Sequence, residues 1–164
     1  MSDAVAPSYR GWSGIRRAFA TPAALTLLFL GFGSGLPFLA IASQTLATRL
    51  RDVGIDLASI GLISLASFFY LLKFVWAPLM DRFELPWLGR RRGWLMLTQL
   101  ALALTLFILA AIDPVLQIRG FALLALAVAF VAASQDVVID AYRTDLLPAA
   151  ERGLGSSLNV LGYR

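Results

Sequence analysis

Residues 120–141 read GFALLALAVAFVAASQDVVIDA, a run in which Asp136 and Asp140 are the only charges and the remaining side chains are apolar, small or neutral. A hydrocarbon core about 30 Å thick takes roughly 20 helical residues to cross, so this run is long enough to span a bilayer. Three more runs meet the same ruler, at residues 22–47, 57–80 and 94–112. Thr21 is placed to cap the first, with Pro22 at the first helical position, where a missing N–H costs nothing. Asp56 is placed to cap the second, after a short polar link, 48–56, that contains Gly54. Asp113-Pro114 ends the third. A fifth run begins near Gly153 and reaches Arg164 after about a dozen residues, too few to cross. The expectation is an all-α membrane protein: a segment 1–21, then a partial transmembrane domain, 22–164, with four spans and the start of a fifth.

Composition agrees, because 59% of the 164 residues are hydrophobic and only 15% are charged. A water-soluble domain of this size could not hide so much apolar surface. The net charge of +4 does not point to nucleic acid, since the arginines fall between the apolar runs instead of forming one stripe. With no Cys and no His, the chain lacks disulfides, thiolate nucleophiles, imidazole bases and the usual zinc or haem ligands. No metal or cofactor is expected, and catalysis is a poor first reading. The opening residues carry Arg10, Arg16 and Arg17 without an apolar core, and the first run is too long for a cleaved signal peptide, so the first span is expected to stay attached.

The basic residues set a topology. Three precede the first span, four lie in residues 81–93 and two in 142–152, whereas the alternate links, 48–56 and 113–119, hold two and one. Nine against three is the positive-inside asymmetry, and it puts the N-terminus in the cytoplasm.

Three features inside or beside the spans carry chemistry. Gly31-Phe32-Gly33-Ser34-Gly35-Leu36-Pro37 lies near the middle of the first span. Proline removes a backbone hydrogen bond and glycine admits a ligand or a neighbouring helix, so Gly33 and Gly35 are candidates for a substrate-lining break; Gly31 and Gly35 equally make a G-x-x-x-G packing face. In the fourth span Ala129, Ala133, Asp136, Asp140 and Arg143 fall at steps of four and three on one helix face, with Gln135 beside them. A carboxylate inside a span costs about 2.5 to 3.5 kcal/mol on insertion scales, so Asp136 needs a partner or water. Lys73 in the second span faces the same difficulty, and its similar depth makes a Lys73 to Asp136 pair the expectation. A transport role, a fixed ion pair and a snorkelling Lys73 are all open. The third feature is the loop that starts at Asp81-Arg82 and ends at Gly89-Arg90-Arg91-Arg92. Asp81 sits at a helix C-terminus, where the macrodipole disfavours a negative charge, so an arginine or another helix's N-terminus should compensate it.

At these residues the sequence resembles the major facilitator superfamily, whose loop between helices two and three carries Gly-x-x-x-Asp-Arg-x-Gly-Arg-Arg. Here Ala77 stands at the first glycine, and five further residues separate Asp81-Arg82 from Gly89-Arg90-Arg91. Within the superfamily the chain is similar to the AmpG-type muropeptide permeases, through Gly33-Ser34-Gly35-Leu36-Pro37, Leu50-Arg51-Asp52-Val53-Gly54, Leu72-Lys73-Phe74-Val75-Trp76-Ala77-Pro78-Leu79 and Leu88-Gly89-Arg90-Arg91-Arg92-Gly93-Trp94. The strongest block is Ser134-Gln135-Asp136-Val137-Val138-Ile139-Asp140-Ala141-Tyr142-Arg143, followed by Leu147-Pro148 and Glu151-Arg152-Gly153.

That resemblance implies a helical bundle of at least twelve spans, of which this chain supplies the first four and part of a fifth, with a C-terminal half beyond them. It implies proton-driven uptake of anhydro-muropeptides across a bacterial inner membrane, feeding peptidoglycan recycling and beta-lactamase induction. Gly33, Gly35, Lys73, Gln135, Asp136 and Asp140 are then expected on the substrate or proton pathway, and Asp81, Arg82, Arg90, Arg91 and Arg143 at a cytoplasmic gate. The rival readings are a permease for another solute, a membrane anchor or partner subunit whose polar residues only hold helices together, and an intramembrane aspartyl enzyme built on Asp136 and Asp140.

The topology is checked by cysteine accessibility. A cysteine at Ser59 should react with an impermeant thiol reagent added outside sealed cells, and one replacing Trp87 should not. Labelling at position 87 alone would invert the assignment.

Overall fold

The computed structural model describes residues 21–42, 44–85, 88–148 and 151–164. These residues are helical except at short links: α1 Pro22–Pro37, a π-helical turn Phe38–Ala42, α2 Gln44–Asp52, α3 Leu57–Ser64, α4 Ala66–Leu72, a 3₁₀ turn Lys73–Val75, α5 Ala77–Arg82, α6 Arg90–Ala111, α7 Ile118–Leu146 and α8 Arg152–Tyr163. Four stretches, Pro22–Asp52, Leu57–Val75, Arg90–Ala111 and Ile118–Leu146, are long and apolar enough to cross a membrane. The chain is a multi-pass, all-α membrane protein.

The helix starts follow from their caps. Thr21 Oγ1 accepts a hydrogen bond from the Ala24 N–H at 3.2 Å. Asp56 accepts from the Ser59 N–H at 2.9 Å and from the Ser59 hydroxyl at 2.7 Å, and these two donors hold its carboxyl below the usual carboxylate range. Between α2 and α3 the chain turns at Gly54, whose φ of 84° lies in the left-handed region, while the Ile55 N–H reaches back to the Leu50 carbonyl at 2.9 Å.

Two prolines interrupt what the sequence pattern alone reads as continuous helices. Pro37 has no N–H to offer the carbonyl four residues earlier, and after it the ladder widens to the π spacing over Phe38–Ala42. Pro78, near the start of α5, likewise leaves the Phe74 carbonyl without its helical donor, and the preceding residues tighten into the 3₁₀ turn Lys73–Val75. The second span is therefore a succession of short helices, and Lys73 stands at its break.

The described residues fall in two compact units, 34–141 and 21–33 together with 142–164. In the first, a core of Ile41, Leu50, Ile60, Ile63, Ala66, Leu102, Leu109, Phe121, Ala125, Val128, Ala129 and Ala132 forms around α7. The small residues on that helix, Ala125, Ala129, Ala132 and Ala133, let neighbouring backbones approach closely, which is how helices associate in lipid. Half of the apolar window of α7 is buried, against 17% in Leu57–Val75 and in Arg90–Ala111, so α7 is the inner helix of this unit and the other two turn most of their surface outward. That outward surface carries Leu62, Phe68, Leu71, Phe74, Leu100, Leu104 and Phe107, an apolar expanse far beyond what a soluble protein exposes and suited to acyl chains.

In the second unit α1 and α8 meet backbone to backbone. Ala24, Leu27 and Gly31 repeat at the same three-then-four spacing as Gly155, Leu158 and Gly162, and all are buried except the half-buried Gly162. A Cβ on Gly31 would collide with the Asn159 carbonyl, and one on Gly162 with the Leu28 carbonyl. Close packing is thus what Gly31 does in this fold.

Valine at Gly31 or Gly162 should therefore lower the chain's thermal midpoint in bilayers, by the equivalent of about 1–3 kcal/mol for overpacking against backbone. Valine at Gly61, where a Cβ meets nothing within 4 Å, is the control and should leave the midpoint in place. Equal effects at the three positions would reject this packing.

Candidate functional site

The polar residues of the spans gather where the breaks in the helices place them. In α7 the stripe Ala129, Ala133, Asp136, Asp140 presents two carboxylates one turn apart. Ser34, one turn before Pro37 in α1, donates its hydroxyl to Asp136 Oδ1 at 2.7 Å. Lys73, at the 3₁₀ break, places Nζ 3.3 Å from Asp140 Oδ2. The expected partner of Lys73 was Asp136, and the geometry corrects this: the ammonium meets the carboxylate one turn further along, and Asp136 is held by a hydroxyl instead. Equal depth with Asp136 would hold on a straight second helix, whereas the helix is broken at Lys73, ahead of Pro78.

Aromatic rings fix the broken segment against α7. Trp76 packs on Phe130 with ring centres 5.1 Å apart, Phe69 meets Phe130 edge-on at 5.6 Å, and Trp76 Nε1 donates to Ser134 Oγ at 3.0 Å. Ser134 passes the bond on to the Phe130 carbonyl at 2.8 Å. Six residues before Trp76, Tyr70 sits edge-on to Phe38, in the π turn, at 5.5 Å. These contacts order both helix breaks and so aim Lys73 along α7.

Gln135 is the outlier. Its side chain is 1% exposed, and neither its amide nitrogen nor its amide oxygen has a hydrogen-bond partner among the described residues. Leaving such a group buried and unpaired costs about 1–3 kcal/mol, a cost tolerated at sites that bind something. Of the other pathway candidates, Gly35 is buried and Gly33 half-buried.

The loop candidates form a second cluster at the far end of the same spans. Asp81 pairs with Arg91, and Arg90 Nη1 reaches the Asp81 carbonyl at 3.4 Å. The positive charge that Asp81 requires at its helix C-terminus is thus supplied from the first turn of α6. Trp94 Nε1 donates to the Phe83 carbonyl at 2.8 Å, and Gly93 admits Leu85 so closely that a Cβ would lie 2.8 Å from it, which ties the descending loop to α6. Arg82 is exposed. Arg143 is half-buried and belongs to the other unit. Sequence reasoning left out Ser34, Trp76 and Ser134 as site residues. Ser34 had a signal, a lone hydroxyl inside the Gly-x-Gly-x-Gly run, whereas Trp76 and Ser134 matter only through contacts that no local pattern announces.

Comparisons with known proteins bear on this arrangement. A family model described as acetyl-coenzyme A transporter 1 matches residues 25–164. A protein named anhydromuropeptide permease from Escherichia coli (strain K12) is 49% identical over 148 residues, which is 90% of this chain and 30% of that protein. An uncharacterized protein of Haemophilus influenzae is 44% identical over 140 residues, 85% of this chain and 33% of the relative. A putative transporter AmpG 4 of Rickettsia conorii is 35% identical over 141 residues, 84% of this chain and 34% of the relative. The chain spans about a third of the length of these curated relatives. With the family model covering all but the first residues, and with four apolar helices carrying the polar cluster, the chain belongs to the AmpG-type permeases of the major facilitator superfamily.

Proposed function

We propose that these residues form part of the solute pathway of a secondary-active permease that imports anhydro-muropeptides across the bacterial inner membrane, driven by protons. The observation that carries the reading is the cluster Ser34, Lys73, Gln135, Asp136 and Asp140 inside otherwise apolar spans, above all the Gln135 amide, buried without a hydrogen-bond partner among the described residues. A purely structural role would leave that amide paired or replace it with an apolar side chain. A muropeptide offers sugar hydroxyls and amides to Gln135, and its stem-peptide carboxylates can compete with Asp140 for the Lys73 ammonium. Gly33 and Gly35, beside the Pro37 break, are the positions at which such a bulky solute could approach the backbone. The name of the Escherichia coli relative supports this cargo.

Asp81, Arg82, Arg90, Arg91 and Arg143 are assigned to a gate on the cytoplasmic side, with the N-terminus also cytoplasmic. The support is the Arg91 to Asp81 pair and the basic asymmetry of the links. An ion pair at the loop between two spans can open and close against water at small net cost, as a gate must. A permease for a different solute is the second reading, favoured by the family model's description, which names acetyl-coenzyme A.

The test is uptake by a full-length permease carrying these residues, in cells or proteoliposomes. Gln135→Leu should lower kcat/KM for labelled anhydro-muropeptide about tenfold or more, the equivalent of about 1.4 kcal/mol of lost transition-state contact, while the membrane level of the protein holds or rises. Unchanged uptake in this variant would remove Gln135 from the pathway. Uptake of acetyl-coenzyme A without muropeptide uptake would select the second reading.

A further inference from the structure

A groove of about 320 Å³ lies between the end of the second span, α6 and α7. Trp76 and Leu79 line it from the second span, Trp94, Leu97 and Ala101 from α6, and Phe130 from α7. The polar groups among its lining residues are already engaged. Trp76 Nε1 donates to Ser134 Oγ at 3.0 Å and Trp94 Nε1 to the Phe83 carbonyl at 2.8 Å. Ser134 and Thr98 donate in turn to carbonyls of their own helices, those of Phe130 and Trp94, each at 2.8 Å. What remains for an occupant is ring face and hydrocarbon, so a sugar or a peptide backbone would give up its bonds to water on entering and gain none. A hydrocarbon chain gives up nothing.

The groove ends in positive charge. On α6 the groove residues Trp94, Leu97 and Ala101 continue a face that begins with Arg90 and Arg91, and on the second span Trp76 and Leu79 lead at the same step of three to Arg82. Residues 81–92 hold four arginines against two acids, Asp81 and Glu84, and Asp81 is taken by Arg91. Arg82 and Arg90 are exposed, and neither forms an ion pair among the described residues. Arg90 spends one N–H on the Asp81 carbonyl at 3.4 Å and keeps the rest of its donors. From Arg90 to Ala101 the helix rises about 16 Å, close to the depth of one leaflet of a hydrocarbon core about 30 Å thick. Only 17% of the apolar window of α6 is buried, so the groove lies on a helix turned outward to the acyl chains.

We propose that this groove seats one acyl chain of an anionic glycerophospholipid whose phosphate is bound by Arg82 and Arg90. Charge at one end, hydrocarbon along one leaflet and access from the side match the order of groups in such a lipid. Phosphate binding leaves the Arg91 to Asp81 pair in place, and the site does not depend on which solute the permease carries.

The test is quenching of the groove tryptophans by lipids brominated on their acyl chains, with the whole chain reconstituted in phosphatidylcholine vesicles. Trp12→Phe and Trp87→Phe leave Trp76 and Trp94 as the only indoles. Brominated phosphatidylglycerol should then quench with an apparent affinity about fivefold or more above that of brominated phosphatidylcholine, the effect of one arginine or more on an anionic headgroup. Arg82→Gln and Arg90→Gln should each lower that ratio, and the double variant should bring it to about one with helix content unchanged by circular dichroism. Ala101→Phe, which fills the groove, should weaken quenching by both lipids. Equal quenching by the two lipids in the parent chain, or a preference that survives the double arginine variant, overturns the proposal. Quenching undiminished by Ala101→Phe overturns the groove as the seat of the acyl chain. Quenching by neither lipid overturns it too, and cross-linking between copies through a cysteine at Leu97 would then put a second copy of the chain in the groove.

Discussion

Charge inside hydrocarbon is the constraint on which the rest of this structure depends. Lys73, Asp136 and Asp140 sit in spans whose other side chains are almost all apolar, and each must find its counterpart within the protein. Asp140 has Lys73 and Asp136 has Ser34. The helices that carry these groups cannot slide or rotate freely without stranding one of them, so a few polar contacts set the register of α1, the second span and α7, while the surrounding alanines supply close packing without direction.

The breaks in the helices are the second element, and they follow from proline chemistry. Pro37 and Pro78 each remove one backbone donor, and the ladder answers in opposite ways, widening into a π turn after Pro37 and tightening into a 3₁₀ turn before Pro78. Irregular backbone is costly in a bilayer unless protein covers it. Here Phe38 and Tyr70 cover one break, and Phe69, Trp76 and Phe130 the other. The polar side chains that matter, Ser34 and Lys73, stand at those breaks. Polar side chains, packing aromatics and irregular backbone thus coincide.

Particular residues show how far a linear reading reaches. The stripe Ala129, Ala133, Asp136, Asp140 was visible because helical periodicity is a property of the chain alone. The caps at Thr21 and Asp56 were equally plain, since they act over three residues, and so was the need of Asp81 for an arginine or a helix N-terminus, of which the structure shows the arginine. The partner of Lys73 was not. Assigning it required the exact depth of a side chain on a broken helix, and a shift of one turn transfers the ammonium from one carboxylate to the other.

Length, hydropathy and charge placement therefore determined, without any coordinates, that this is a multi-span helical membrane protein, because crossing a bilayer is a matter of local composition and of satisfying each helix's own hydrogen bonds. Motif blocks spaced along the chain further determined its family. Only the tertiary structure decided that Gly31 packs against the Asn159 backbone, that Ser34 serves Asp136, that Lys73 serves Asp140, and that Gln135 is buried without a hydrogen-bond partner among the described residues. The physical reason is that such pairings join residues as many as 128 positions apart, and their outcome turns on differences of a few ångströms that helix breaks and packing create.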